Sequence, residues 1–359
     1  MNTSTPDESL VHDADLLAEL EAARGKFAFD VTRRHIIAKQ EKRDADAAAA
    51  AEKAATLAGL SSVQRKRTTV KEAVQTGEAV TRDNLQHIHS VLALCALPHN
   101  KQPLATREYE RRQGNSSLVV EAGKLMTDTG KWEAQPLPYG SRARLLLLHL
   151  CSEAIRQKSA TIEVADSLTA FIRDMGFEVS GGRNGSLTYF KQQLNALAAC
   201  RLRVGTWGPR GASTIDTKPF SKMEVWLPDN PDQHMLWSSK ITFSNDFFED
   251  LSRHALPVNK YVARAFANSS RKLDFIYWLG YQINRLEKPL ILSWDNLQLQ
   301  FGEGFSTGSK FRQSFKKEMA DILAVLPKAP LAVSERGLTV FPAAVETLAL
   351  PTPRKFKKA

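Results

Sequence analysis

The chain has 359 residues, 43% of them hydrophobic and 25% charged, which is room for two ordinary soluble domains with real cores and a tail. Its net charge is +10, and the surplus is unevenly placed: residues 1–90 hold 13 Lys and Arg against 14 Asp and Glu, and the remaining 269 hold 36 against 25. A basic globular part attracts polyanions, either nucleic acid or an anionic membrane. The sequence argues against the membrane. Its most apolar run, Leu145 to Ile155, is broken by His149, Ser152 and Glu153 and is far too short to span. The start, MNTSTPDESL, reads neither as a secretory signal nor as a basic anchor.

Residues 1–60 are rich in Ala, Glu and Lys, and their few apolar positions predict loosely docked or exposed helices joined by flexible segments. VQRKRTTVK, 63 to 71, reads as a solvated basic face, with a phosphate contact as the alternative. RDNLQHIHSVLALCAL, 82 to 97, reads as a helix, and Pro98 and Pro103 bracket a boundary. Beyond it the pattern occurs twice. The first copy is a helix over 141–158, a strand TIEV, and a helix capped by Asp166 and Ser167 with Leu168, Phe171 and Met175 inward and Gly176 as its stop. A glycine-rich turn, a helix from 186, the strand RLRVGTW, a polar loop and the strand KMEVWL complete it.

The second copy runs from a helix over 271–287 through the strand PLILS to a short helix capped by Ser293, with Trp294, Leu297 and Phe301 inward and Gly302 behind it. GEGFSTGS leads into KFRQSFKKEMADILAVL, then LAVS, a Glu335-Arg336-Gly337 turn and LTVF. Helix, strand, helix, turn, helix, hairpin is the order of a winged helix. The expected fold class is therefore α+β: two tandem winged-helix domains with small antiparallel wing hairpins, at 96–235 and 236–345. A helical, partly flexible N-terminal extension, 1–95, precedes them and a basic tail, 346–359, follows.

The third helix of each copy carries the functional expectation. On a helical wheel Leu187, Phe190, Leu194 and Leu197 share one face, and Thr188, Tyr189, Gln192, Asn195 and Ala196 share the other, with Lys191 at the margin. Side chains such as Gln192 and Asn195 pair donor and acceptor in the way an adenine edge requires, and a helix is the element that fits the major groove. Arg183, Asn184 and Ser186, with the free N–H groups of the helix start, are placed to meet phosphates. In the second copy Phe311, Phe315, Met319 and Ile322 point inward, while Ser309, Lys310, Gln313, Lys316 and Lys317 face away and Arg312 flanks them. That cationic face suits backbone grip with one or two base contacts. Arg201, Arg203, Arg210 and Lys218 of the first hairpin, and Arg336 of the second, are expected at the flanking backbone or minor groove. Any one such helix is more often a core helix. The DNA-binding expectation rests on two of them with hairpins, in the region that holds the charge surplus.

Three blocks, LPYGSRARLLLLHLCSEAIRQKS (137–159), SLTAFIRDMGF (167–177) and GGRNGSLTYFKQQLNALAACRLRVG (181–205), resemble the RepA-type family of iteron-binding, winged-helix plasmid replication initiators, over about residues 95 to 345. The resemblance implies double-stranded DNA binding at origin repeats, melting of an AT-rich segment and recruitment of host replication proteins such as a helicase and initiator. It also implies exchange between a dimer that represses its own gene and a monomer that initiates. By position, the reading residues carry over to the polar faces of 186–195 and 309–317. The long Ala-rich start departs from the family's compact pattern.

A rolling-circle nickase is the enzymatic rival, since His87-Ile88-His89 has the metal-binding spacing and Tyr109 or Tyr139 could serve as nucleophile. Read as helical, that pair points about 200° apart. GGRNG lacks the Lys-Ser/Thr of a P-loop, and no nucleophile–base constellation stands out. Cys95, Cys151 and Cys200 have no metal-ligand spacing, and the latter two fall on apolar faces. A non-enzymatic protein of the reducing cytoplasm, with no cofactor, no metal and no membrane contact, is expected. A winged-helix transcriptional regulator is the other alternative.

Overall fold

The computed structural model describes residues 10–351 except 27–28, 95, 128–129, 181–184, 210, 225–239 and 284. Among the described residues are twelve α-helices and fourteen strands, and the strands pair antiparallel in five small sheets. Contacts divide the chain into two units, 1–65 and 66–359.

The smaller unit is a pair of helices, α1 (Ala14–Ala23) and α2 (Phe29–Ala58). Leu16, Leu20, Ile36 and Val11 make its apolar contact, and buried Gln40 accepts from the Asp13 N–H at 3.0 Å. Arg43 reaches across to Asp15 with two hydrogen bonds, at 2.8 and 2.7 Å, which holds that exposed carboxyl down to about 2. The second half of α2 is exposed on every side, as its Ala-rich composition predicts.

The larger unit includes most of α3 (Ser62–Gln75), followed by β1 (Leu85–His89) and α4 (Ser90–Leu94). Two hairpins come next, β2 (Glu108–Gln113) with β3 (Ser116–Glu121) and β4 (Lys124–Met126) with β5 (Trp132–Ala134). Then come α5 (Gly140–Gln157), β6 (Thr161–Glu163), α6 (Ala165–Asp174), α7 (Ser186–Ala199), β7 (Arg201–Gly208), β8 (Gly211–Thr217) and β9 (Phe220–Glu224). β10 (Lys240–Phe243), α8 (Asn245–His254), β11 (Ala255–Asn259) and α9 (Lys260–Ala265) lead to α10 (Ser270–Ile283), β12 (Leu290–Ser293), α11 (Trp294–Phe301), α12 (Gly308–Val325), β13 (Leu331–Ser334) and β14 (Gly337–Val340).

Several local signals act as the sequence predicts. Ser293 accepts the Asn296 N–H at 3.2 Å and so caps α11, and Trp294, Leu297 and Phe301 are buried beneath it. Gly176 ends the α6 segment at φ +74°, and Lys66 of α3 lies so close over it that a Cβ there would meet the Lys66 Cε at 2.4 Å. α6 itself starts at Ala165, so Asp166 and Ser167 fall inside its first turn rather than at the cap.

Three sequence readings change. Residues 82–97 are not one helix, because LQHIH is the strand β1, with a 3₁₀ turn at Arg82–Asn84 before it and the short helix α4 at 90–94 after it. The partner that makes it a strand is β11, with His87 opposite Pro257, and no local pattern reveals a partner so far along the chain. Residues 66–94, assigned above to the N-terminal extension, join the main core through Val70, Ile88, Val91 and Leu92. The basic cluster of α3 is not simply solvated: Lys66 donates to the Gly176 carbonyl, and Arg67 pairs with Asp321 of α12 at 2.8 Å.

The two copies of the pattern differ in their sheets. In the second, β12, β14 and β13 form one three-stranded sheet, with Ser293 and Ser334 both opposite Gly337. In the first, β6 pairs with β10, and the β7–β8 hairpin instead extends β3 into the sheet β2-β3-β7-β8. One continuous hydrophobic cluster, from Val70 to Leu350, underlies both copies. The leading helices α5 and α10 meet across it, where Arg144 grips Asp274 in a bidentate pair at 2.5 and 2.7 Å. The same guanidinium donates to the carbonyls of Leu97, Pro98 and Gly140, so this buried cation is fully hydrogen-bonded.

Candidate nucleic-acid interface

α12 is oriented by its apolar stripe. Phe311, Phe315, Met319 and Ile322 are each 1% exposed or less, and burying each is worth about 1.5–3 kcal/mol. That outweighs any propensity term and forces the opposite face outward. Thr307 caps the helix, and Ser309, Lys310, Arg312, Gln313, Lys316 and Lys317 are all exposed. The carboxylates of α12 lie elsewhere: Glu318 binds Arg271 at 2.7 Å, and Asp321 binds Arg67 and Lys272. Cations therefore line the outer strip, together with Arg336, exposed in the turn between β13 and β14. Glu335 is the acid at its edge, 2.8 Å from the Lys316 ammonium, whose hydrogen bond holds the Glu335 carboxyl below the usual range.

α7 is more enclosed. Leu187, Phe190, Leu194 and Leu197 are buried as the wheel requires, but so is Ala196, which the wheel assigned to the polar face. Neighbouring chain wraps the end of the helix and narrows the outer strip. Gln192 and Tyr189 are exposed, with the Arg142 guanidinium 5.0 Å from the Tyr189 ring centre, and Thr188 is half-buried. Lys191 and Asn195 look into a groove walled by β4, β5 and β9. Ser186 closes its own loop: its hydroxyl donates to the Glu178 carbonyl, and its N–H donates to Ser180 Oγ at 3.1 Å.

The first hairpin's arginines have internal partners. Arg201 donates to Asp216 of β8 at 2.5 Å, and Arg203 pairs with Glu121 of β3 at 2.6 Å and with Asp216 at 3.4 Å. Lys218 is exposed. Arg183, Asn184 and Arg210 lie outside the described residues. Buried Gln193 was not singled out from the sequence: its side-chain oxygen accepts the Tyr139 N–H at 2.8 Å and seats α7 against the start of α5.

The His-x-His pair needs a different account from the one its sequence invites. Lying on a strand, His87 and His89 share a face, as nickase chemistry asks, so a helical separation is no argument against that chemistry. Both ring nitrogens of His89 are engaged, however. Nδ1 accepts the Val91 N–H at 3.2 Å, and Nε2 donates to Asp250 at 2.7 Å. Burial pushes His89 down to about 4, against the opposing pull of Asp250. Tyr109, one proposed nucleophile, donates its hydroxyl to Glu303 at 2.6 Å. Among the described residues no group of three or more His, Cys, Asp or Glu could hold a metal ion. Cys151 and Cys200 are fully buried, and their thiols are pushed up to about 12; Cys95 lies outside the described residues.

Against known proteins, the match is to a family of plasmid-encoded proteins. Residues 137–296 match the family described as plasmid encoded RepA protein. The match runs from the approach to α5 into the first turn of α11, a narrower span than the resemblance, and α12 lies beyond it. No curated protein sequence matches the chain. Among solved structures, RctB domains 2-3 (RctB-155-483) align at TM-score 0.46 and 8% identity, covering 72% of this chain and 99% of that one. A selenomethionine derivative of domains 2 and 3 of RctB aligns at TM-score 0.41 and 9% identity, covering 68% and 86%. Among the described residues no helix is long and apolar enough to cross a membrane.

Proposed function

We propose that the protein is a plasmid replication initiator that binds double-stranded DNA at origin repeats, or iterons, through two tandem winged-helix modules. In each, the third helix, α7 or α12, enters the major groove and the hairpin behind it lies along the flanking backbone. The observation that carries this is the outer face of α12. Lys310, Arg312, Lys316 and Lys317 are exposed along one strip, with the carboxylates of the helix turned to internal partners. A helix exposed only for solubility mixes both signs, whereas an unmixed cationic strip suits phosphate. The plasmid RepA match over 137–296 turns DNA binding toward replication.

On this reading the protein works in the cytoplasm as a binding protein, without cofactor or metal. It recruits host helicase and initiator proteins, and it exchanges between a self-repressing dimer and an initiating monomer. A transcriptional regulator on the same fold is the alternative that shares every DNA contact. A footprint of the purified protein on its own plasmid separates the two. Regularly spaced protected repeats beside an AT-rich stretch are expected, and a single protected operator at a promoter would overturn initiation.

A further inference from the structure

The β4–β5 hairpin precedes the first copy of the pattern, and no function above uses it. Its base is fixed. Arg107 donates to the carbonyls of Ala122, Gly123 and Gln135 at 2.7, 2.9 and 2.9 Å, and the Gln135 N–H donates to Gly123 at 3.0 Å. Gly123 touches the end of α7 so closely that a Cβ would fall 2.1 Å from the Ala199 carbonyl oxygen, so only glycine permits this seat. The hairpin is thereby held against the helix proposed to read the major groove.

What it displays is unusual for a surface. Met126 and Trp132 are directly opposed across the two strands, and they are 52% and 65% exposed. A side chain as large as Trp, placed on a short hairpin with no core of its own, contributes little to folding there. The pair is flanked by exposed Lys124 and Lys131, with Glu133 as the neighbouring acid. Between the hairpin and β9 runs an open groove of about 800 Å³, into which Lys191 of α7 and Lys222 also look. An apolar wedge ringed by cations matches the chemistry of the DNA minor groove, where an inserted side chain unstacks one base step and lysines hold the phosphates either side.

We propose that the β4–β5 hairpin is a third DNA-contact element. Trp132, backed by Met126, inserts at a base step flanking the site of α7 and kinks the duplex, while Lys124 and Lys131 grip the adjoining phosphates. The occupant is duplex DNA because the wedge borders the proposed reading helix, and its two lysines, balanced within the hairpin by Asp128 and Glu133, are joined at the groove by Lys191 and Lys222. This inference rests on the proposed DNA-binding function and deepens it.

The test uses the full chain and the repeat duplex defined by the footprint, measuring affinity and circular-permutation bending. Trp132→Ala is expected to weaken binding about tenfold or more, on the scale of one stacked base, and to remove most of the bend, while Trp132→Phe retains both. An unchanged thermal midpoint shows that each variant folds. Joint Lys124→Ala and Lys131→Ala is expected to flatten the log–log salt dependence by about two units. If wild type binds the repeat specifically and Trp132→Ala binds and bends it equally, the inference is overturned and the function stands. If wild type prefers no origin repeat, both fall.

Discussion

α7 and α12 stand at equivalent places in the two copies of one pattern, yet they meet solvent differently. On α12 all six polar residues chosen from the wheel are exposed, four of them cationic. On α7 the outer strip narrows to Gln192 and Tyr189, because Ala196 is buried, Lys191 and Asn195 look into a walled groove and Ser186 is spent on its own loop. Phosphate is gripped chiefly by charged side chains that reach freely, whereas a base edge is read by side chains whose donors and acceptors match it. Under the proposed DNA-binding function, this contrast suits α12 to grip and α7 to reading.

The comparison holds only if the two helices are carried by one frame, and the largest expected effect tests that. Arg144→Ala leaves Asp274 buried without its guanidinium and takes a donor from the carbonyls of Leu97, Pro98 and Gly140, of which Pro98 keeps the Gly140 N–H at 3.0 Å. Breaking such a pair costs about 3–5 kcal/mol, and the paired swap Arg144→Met with Asp274→Leu is expected to recover the part due to the uncompensated carboxylate but not the part due to the Leu97 carbonyl. In urea unfolding of the full chain, followed by probes in each copy of the pattern, both copies should lose stability together. If the copy containing α12 keeps its wild-type midpoint in Arg144→Ala, the frame is not shared.

The next effect separates reading from position along α7. Gln192→Ala is expected to weaken binding to the cognate repeat by about 1–3 kcal/mol, the worth of a bidentate base contact, with much less loss on random duplex. Asn195→Ala, whose side chain looks into the groove beside the β4–β5 hairpin, should cost less on the repeat. Competition binding on both duplexes measures this. Equal losses on the two DNAs for Gln192→Ala would leave it as a positioning residue.

Much of this contrast could be read from the chain, and the rest could not for a physical reason. The stripes Phe311, Phe315, Met319, Ile322 and Leu187, Phe190, Leu194, Leu197 follow from helical periodicity alone, and the Ser293 cap and the Gly176 stop follow from backbone chemistry within a few residues. Each of these depends only on near neighbours. What escaped depends on distant ones: β11 makes LQHIH a strand, neighbouring chain covers Ala196, and Asp216 and Glu121 hold Arg201 and Arg203. A single wheel shows which side of a helix is apolar, but not how far other chain wraps around it. For the same reason an exposed basic residue in sequence is only a candidate for phosphate, since a carboxylate elsewhere in the chain competes for it.

That competition sets the smallest effect, and it falls within α12 itself. Lys317 has no ion pair in the structure among the described residues, while Lys316 is bonded to Glu335 at 2.8 Å, and an exposed pair of this kind is worth only about 0–1 kcal/mol. Lys317→Ala is expected to flatten the log–log salt dependence of DNA binding by about 0.9, the counterion yield of one phosphate. Lys316→Ala should flatten it less, because part of that charge is already neutralised. Glu335→Gln then becomes the sharper probe. Freeing Lys316 should steepen the slope and tighten binding a few-fold at low salt, with the gain fading as salt screens it. Affinity titrations across a salt series would show this ordering, and identical slopes for all three variants would remove both lysines from the phosphate interface.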